Sequence, residues 1–92
     1  AAKVTGPVLQ TYRAAIARGQ LSAQERQGLS LVTRREREVL ALIARGATNA
    51  EIAREMVIAD TTVKTHVSSL LSKLAARDRV ALVLLAQKAG IA

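Results

Sequence analysis

In residues 60–74, D-T-T-V-K-T-H-V-S-S-L-L-S-K-L, the large apolar side chains fall at Val63, Val67, Leu70, Leu71 and Leu74. That spacing places them within a sector of roughly 100° on an α-helix. The opposite sector carries Thr61, Thr65, Ser68, Ser69 and Ser72, with Lys64 on one flank and His66 and Lys73 on the other. No carboxylate follows Asp60 within the segment. Short hydroxyl side chains let a backbone approach a DNA groove closely, and flanking cations meet phosphates. Taken alone, the same face also reads as an ordinary solvated helix surface. The segment in front of it decides between the two.

The 92 residues make one small domain, large enough for a single core but not for a deep catalytic cleft. Half of them are apolar, yet Tyr12 is the only aromatic residue. A core of Ala, Val, Leu and Ile points to packed helices, an all-α fold, rather than a sheet. The formal charge of +7 and the pI of 11.2 favour a polyanionic partner, nucleic acid before membrane. The absence of cysteine excludes disulfides and thiolate metal sites and suits an intracellular, cytoplasmic setting. His66 is the one histidine, so a multi-histidine metal site is excluded too, and no cofactor or metal is expected. The apolar run 80–86 is too short to span a bilayer, and no secretory signal is visible. The start A-A-K suggests a piece excised from a longer chain.

From the N-terminus, Pro7 suits a first helical position, and Val8, Tyr12, Ala15 and Ile16 line one face before Gly19, predicting a helix over about 7–18. Ser22-Ala-Gln-Glu25 fits a capping box, but a solvated linker fits equally, and residues 20–30 read as a connector. Thr33-Arg-Arg-Glu36 is a stronger capping box, followed by Val39, Leu40 and Ile43 on one face and Gly46 as a stop. Thr48-Asn-Ala-Glu51 opens a short helix with Ile52, Ala53 and Met56 inside. Only residues 57–59 separate it from the helix at 60–74, the arrangement of a helix-turn-helix. Asp78 is a good N-cap for a last helix that stops at Gly90. Val80, Val83 and Leu84 are taken to face the core, which leaves Leu82, Leu85 and Ala86 as surplus apolar surface.

Four blocks, V-T-R-R-E-R-E-V-L, G-A-T-N-A-E-I-A, T-V-K-T-H-V-S-S-L-L-S-K-L and D-R-V-A, appear in the order and spacing of the LuxR-type helix-turn-helix domain, which residues 32–86 therefore resemble. This is the C-terminal DNA-binding module of quorum-sensing regulators and of NarL/FixJ response regulators. The resemblance implies four helices at about 33–45, 49–56, 60–74 and 79–89. It divides the chain into a linker region, 1–31, and a DNA-binding domain, 32–92. The linker would join an upstream receiver or sensory domain, as in a two-component system. Relatives usually carry Ser or Thr where this chain has Ala59; Asp60 is expected to take over as cap and shift the helix start by one residue.

In that family the third helix enters the major groove of promoter DNA. Carried onto this sequence, base contacts fall to Lys64, Thr65, His66 and Ser68. Lys64 can donate to guanine O6 and N7, whereas Thr65 and Ser68 can donate or accept, and Thr65 can also offer its methyl to thymine. Phosphate contacts fall to Arg35, Thr48, Asn49, Thr61, Thr62 and Lys73, with a local turn or cap role as the alternative for Asn49. Glu36 and Glu51 are explained by their capping boxes, and Val39, Ile52, Val63, Val67 and Leu70 are core. The family also implies dimerisation through the last helix. The surplus residues Leu82, Leu85 and Ala86 are the expected contact of a homodimer that is weak off DNA, unless the 7–18 helix folds back to cover them. A contact with RNA polymerase is expected as well. An enzyme is disfavoured, because no nucleophile–base pair, metal cluster or phosphate-binding glycine loop is present. A helical protein-interaction module using the last helix is the other reading. A σ-factor region 4 domain begins similarly, but the T-V-K-T-H-V and D-R-V-A blocks argue against it.

Overall fold

The computed structural model describes residues 21–91, so the helix expected over 7–18 lies outside the described residues. Five α-helices follow one another: α1 Ala23–Ser30, α2 Arg34–Ala44, α3 Asn49–Met56, α4 Asp60–Lys73 and α5 Arg79–Lys88. The first three begin with reciprocal capping boxes, Ser22/Glu25, Thr33/Glu36 and Thr48/Glu51. In each, the hydroxyl accepts the N–H of the glutamate, whose carboxylate accepts the N–H of the cap residue. In α5 the Asp78 carboxylate accepts the Ala81 N–H at 2.9 Å. Helix α4 is the exception. Its N-cap is Ala59, which has no side-chain acceptor, and Asp60 does not replace it. Asp60 is already the first helical residue, where its charge favours the helix dipole, so the start is not shifted.

Helix α2 is central, packing on α5 and α4, while α3 packs on α4. Val39, Leu40, Ile43, Ile52, Val63, Leu70 and Leu82 are fully buried at the common core. Val67 lies at its edge, half-buried. Within the connector expected at 20–30, Ala23–Ser30 is instead helical, because the Ser22 box forms and Leu21 and Leu29 pack against the core. Gly28 permits that docking. A Cβ there would stand 2.7 Å from the Lys73 carbonyl oxygen and 3.3 Å from a Leu74 methyl. Glu25 and Lys88, 3.2 Å apart, tie α1 to the end of α5.

The face expected to be free on α5 is the buried one. Leu82, Leu85 and Ala86 belong to the core, whereas Val80 is 66% and Leu84 56% exposed. The apolar residues run nearly all round this helix, and two stripes compete. The stripe from Leu82 continues through Ala89 towards buried Ile91, but the stripe from Val80 runs into Gln87. The core takes the wholly apolar one. The three residues assigned to a dimer contact therefore cannot form it without unpacking the domain.

Helices α2 to α5 end alike: a left-handed residue is followed by an apolar one whose N–H reaches back five residues, at Ala47, Ile58, Ala76 and Ile91. Gly46 and Gly90 supply the left-handed position after α2 and α5, but Val57 (φ 55°) and Ala75 (φ 51°) do so on either side of α4. A Cβ in this region costs roughly 1–2 kcal/mol. Ala75→Gly should therefore raise the free energy of unfolding by about 0.5–1 kcal/mol, after the extra unfolded-state entropy of glycine is deducted. Urea denaturation measures it, and a variant no more stable than the parent would show that Ala75 is unstrained.

Candidate nucleic-acid interface

The α3–turn–α4 unit presents one face of α4 to solvent. Lys64, Thr65, Ser68, Ser69, Ser72 and Lys73 line a single shallow, open depression along it. Thr61 and Thr62, in the first turn, are exposed as well. Burial of Val63 and Leu70 sets this orientation, since both are wholly inaccessible on the opposite side. Lys64 makes no ion pair among the described residues, so its ammonium is available to an outside partner. The Thr65 hydroxyl donates to the Thr61 carbonyl at 3.0 Å, which leaves its methyl and a lone pair for other contacts. His66 lies about 200° round the helix from Lys64 and is half-buried, on the flank rather than beside it.

Lys73 is held differently from the sequence expectation. Its Nζ lies 2.7 Å from Glu36 Oε1, and only 29% of its side chain is exposed. Glu36 is 5% exposed. The same Oε1 accepts the Thr33 N–H, and Oε2 accepts the Ser69 hydroxyl. Glu36 therefore does more than close a capping box: it anchors the second half of α4 to the start of α2. Nothing in the sequence marks this second role, because the capping box already accounts for a glutamate at that position. Burial by itself pushes the Glu36 carboxyl up, but the donors from Lys73, Ser69 and the Thr33 N–H outweigh it and hold it lowered from 4.5 to about 2.

The other expected phosphate contacts are dispersed. Arg35 pairs with Glu38 at 2.9 Å and opens onto a separate groove between α2 and α3, with Glu38, Arg45 and Glu55 at its rim. Thr48 uses its hydroxyl to cap α3. Asn49 Oδ1 accepts from Arg79 Nη1 at 2.7 Å, and Arg79 Nη2 donates to the Ala47 carbonyl at 2.6 Å. Sequence reasoning gave Arg79 no role of its own, because it stood only inside the D-R-V-A block behind the Asp78 cap. Among the described residues no helix is long and apolar enough to cross a membrane, and no cluster of three potential metal-ligating side chains occurs.

A compact helix-turn-helix whose second helix exposes hydroxyls and an unpaired lysine has the form of a DNA-binding module. Residues 30–86 match the family described as bacterial regulatory proteins, luxR family. The chain is 48% identical over 64 residues to the uncharacterized transcriptional regulatory protein YhcZ of Bacillus subtilis, a match covering 70% of this chain and 30% of that protein. It is 54% identical over 48 residues to the transcriptional regulatory protein LiaR of the same organism, covering 52% and 23%. To the response regulator protein VraR of Staphylococcus aureus it is 52% identical over 56 residues, covering 61% and 27%. The chain thus belongs to the luxR family of bacterial regulatory proteins, with its helix-turn-helix domain at residues 30–86. It spans less than a third of the length of these relatives.

The Glu36 anchor has a pH signature. Because the folded carboxyl lies below its ordinary value, its stabilisation is fully present above about pH 4.5 and is lost as the pH falls towards 2. The loss should be on the order of 3 kcal/mol. Lys73→Met removes the largest lowering influence, so that variant should be less stable at neutral pH and should lose less stability between pH 4.5 and 2. Urea titrations between pH 2 and 7 follow both, and identical acid limbs in the two proteins would refute the anchor.

Proposed function

We propose that this chain reads a double-stranded promoter sequence as the effector domain of a transcriptional regulator, with α4 in the major groove. The supporting observation is the exposed α4 face, where unpaired Lys64 stands beside Thr65 and Ser68 with no carboxylate among them. Lys64 donates to guanine, Thr65 and Ser68 touch neighbouring base edges, and His66 meets the flank of the groove. Thr61 and Thr62 in the first turn of α4, together with Thr48 and Asn49 at the start of α3, engage phosphates through hydroxyl, amide and backbone N–H groups. Arg35 gives a more distant phosphate contact, and Lys73, at the edge of the depression along α4, is held by Glu36. The relatives named as a response regulator and as transcriptional regulators favour an upstream signal-receiving segment and RNA polymerase as the machinery ultimately addressed.

Neutralising phosphates releases condensed counterions, so affinity for duplex DNA should fall with salt, by a slope near 0.9 for each phosphate neutralised by a lysine or arginine. Lys64→Ala should weaken a selected site by roughly 1–3 kcal/mol relative to random duplex. Fluorescence anisotropy across a salt series, on selected and random duplexes, measures both quantities. A salt-independent isotherm would contradict the DNA reading, and an unchanged ratio of selected to random binding would remove Lys64 as a base reader.

The exposed apolar face of α5, where Val80 and Leu84 lie one turn apart, supports pairing of two copies on DNA. A two-fold contact between such helices buries the same residues from each copy and places two α4 helices on half-sites about one helical turn apart. The small patch suits association that is weak off DNA. Leu84→Glu should abolish cooperative binding to paired half-sites while leaving single half-site affinity unchanged. Retained cooperativity in a gel-shift titration would remove α5 from the pairing contact.

A further inference from the structure

Arg79 opens α5, yet its guanidinium crosses to the start of α3, where it holds the Asn49 amide oxygen at 2.7 Å and the Ala47 carbonyl at 2.6 Å. Arginine has only donors, so only the oxygen end of the Asn49 amide can face it. The NH2 end is turned the other way, and it has no acceptor among the described residues. The Ala47 bond fixes the second arm of the guanidinium fork, so the arginine cannot follow a rotating amide. Arg79 and Asn49 are both half-buried, which limits competition from water for the pair.

We propose that Arg79 is a positioning residue for DNA recognition: by holding the Asn49 oxygen, it presents the Asn49 NH2 as a hydrogen-bond donor to a backbone phosphate. The inference rests on the DNA-binding reading above and adds to it the way one contact is oriented. An unrestrained asparagine exposes either its oxygen or its nitrogen, and the oxygen repels a phosphate. Fixing the amide removes the wrong state before DNA arrives. Arg79 thereby links the start of α5 to the phosphate-facing end of the helix-turn-helix without touching the nucleic acid itself.

A double-mutant cycle tests this. Duplex binding of the wild-type chain, Asn49→Ala, Arg79→Met and the double variant is measured by fluorescence anisotropy at one salt concentration. Thermal melting of the same samples corrects each affinity to the folded fraction. Asn49→Ala is expected to weaken binding about tenfold, the usual scale for a hydrogen bond to a charged group. Arg79→Met should weaken wild-type binding by a similar factor, and its effect should shrink at least about fivefold in the Asn49→Ala background. Loss of the arginine charge acts equally in both backgrounds and cancels from the comparison. If melting shows Arg79→Met unfolded, the cycle is run with Arg79→Lys, whose single ammonium cannot hold both oxygens. Equal losses in the two backgrounds would overturn the proposal, as would an Asn49→Ala variant that binds like wild type. A purely structural Arg79 would lower the melting temperature and leave the folded-fraction affinity unchanged. Failure of the wild-type chain to bind any duplex would instead sink the DNA reading, and this inference with it.

Discussion

Glu36 is a carboxylate withdrawn from water, and such a group is tolerable only when donors replace its hydration. Here they come from two places at once. The Thr33 N–H belongs to the turn that starts α2, while Ser69 and Lys73 belong to the far half of α4. Local helix initiation and tertiary placement therefore share one side chain. If α4 rolled or slid on α2, the carboxylate would keep its cap but lose the ammonium and hydroxyl that justify its burial. The exposed face of α4 is aimed by this penalty as much as by the packing of Val63 and Leu70. One result is a division of labour among the lysines of that helix. Lys73 serves the interior of the domain, and Lys64 is left as the unpaired cation of the outward face.

The ends of α4 are defined less by its own residues than by its surroundings. Its N-cap is an alanine without an acceptor, and left-handed non-glycine residues flank it at Val57 and Ala75. Val57 is β-branched and 88% exposed, so no packing rewards its conformation. The compensation lies next door: Ile58 and Ala76 turn inward and return their N–H groups to Ala53 and Leu71. Apolar residues placed just after the strained position hold both turns shut.

Where the chain announces its helices, it does so through reciprocal Ser/Thr–Glu pairs followed by an apolar stripe. That is why α2 and α3 could be located to within a residue or two from Thr33 and Thr48, whereas α4, which has no such pair, showed through the apolar stripe from Val63 alone. The outward set Lys64, Thr65 and Ser68 was equally readable, because each lies well round the helix from the side that carries Val63 and Leu70. Less could be read where two physical solutions compete. Helix α5 is apolar on several faces, so only the contrast between Gln87 and Ala89 at the ends of its stripes distinguishes inside from outside. Helix α1 is mostly polar, and its docking depends on a glycine whose partner is 45 residues away along the chain. The long-range bonds of Glu36 and Arg79 leave no periodic trace at all.

The close approach at Gly28 bears on where this module can be cut and joined. The family match begins at residue 30, but the physical unit begins earlier, because α1 lies on the end of α4 and is pinned by Glu25 to Lys88. A hybrid regulator spliced at the family boundary would bring a foreign segment against the Lys73 carbonyl, where there is no room for a side chain. Splicing ahead of Leu21 carries the native glycine, the capping box and the ion pair together. The junction would then fall in front of a complete surface rather than through the middle of one.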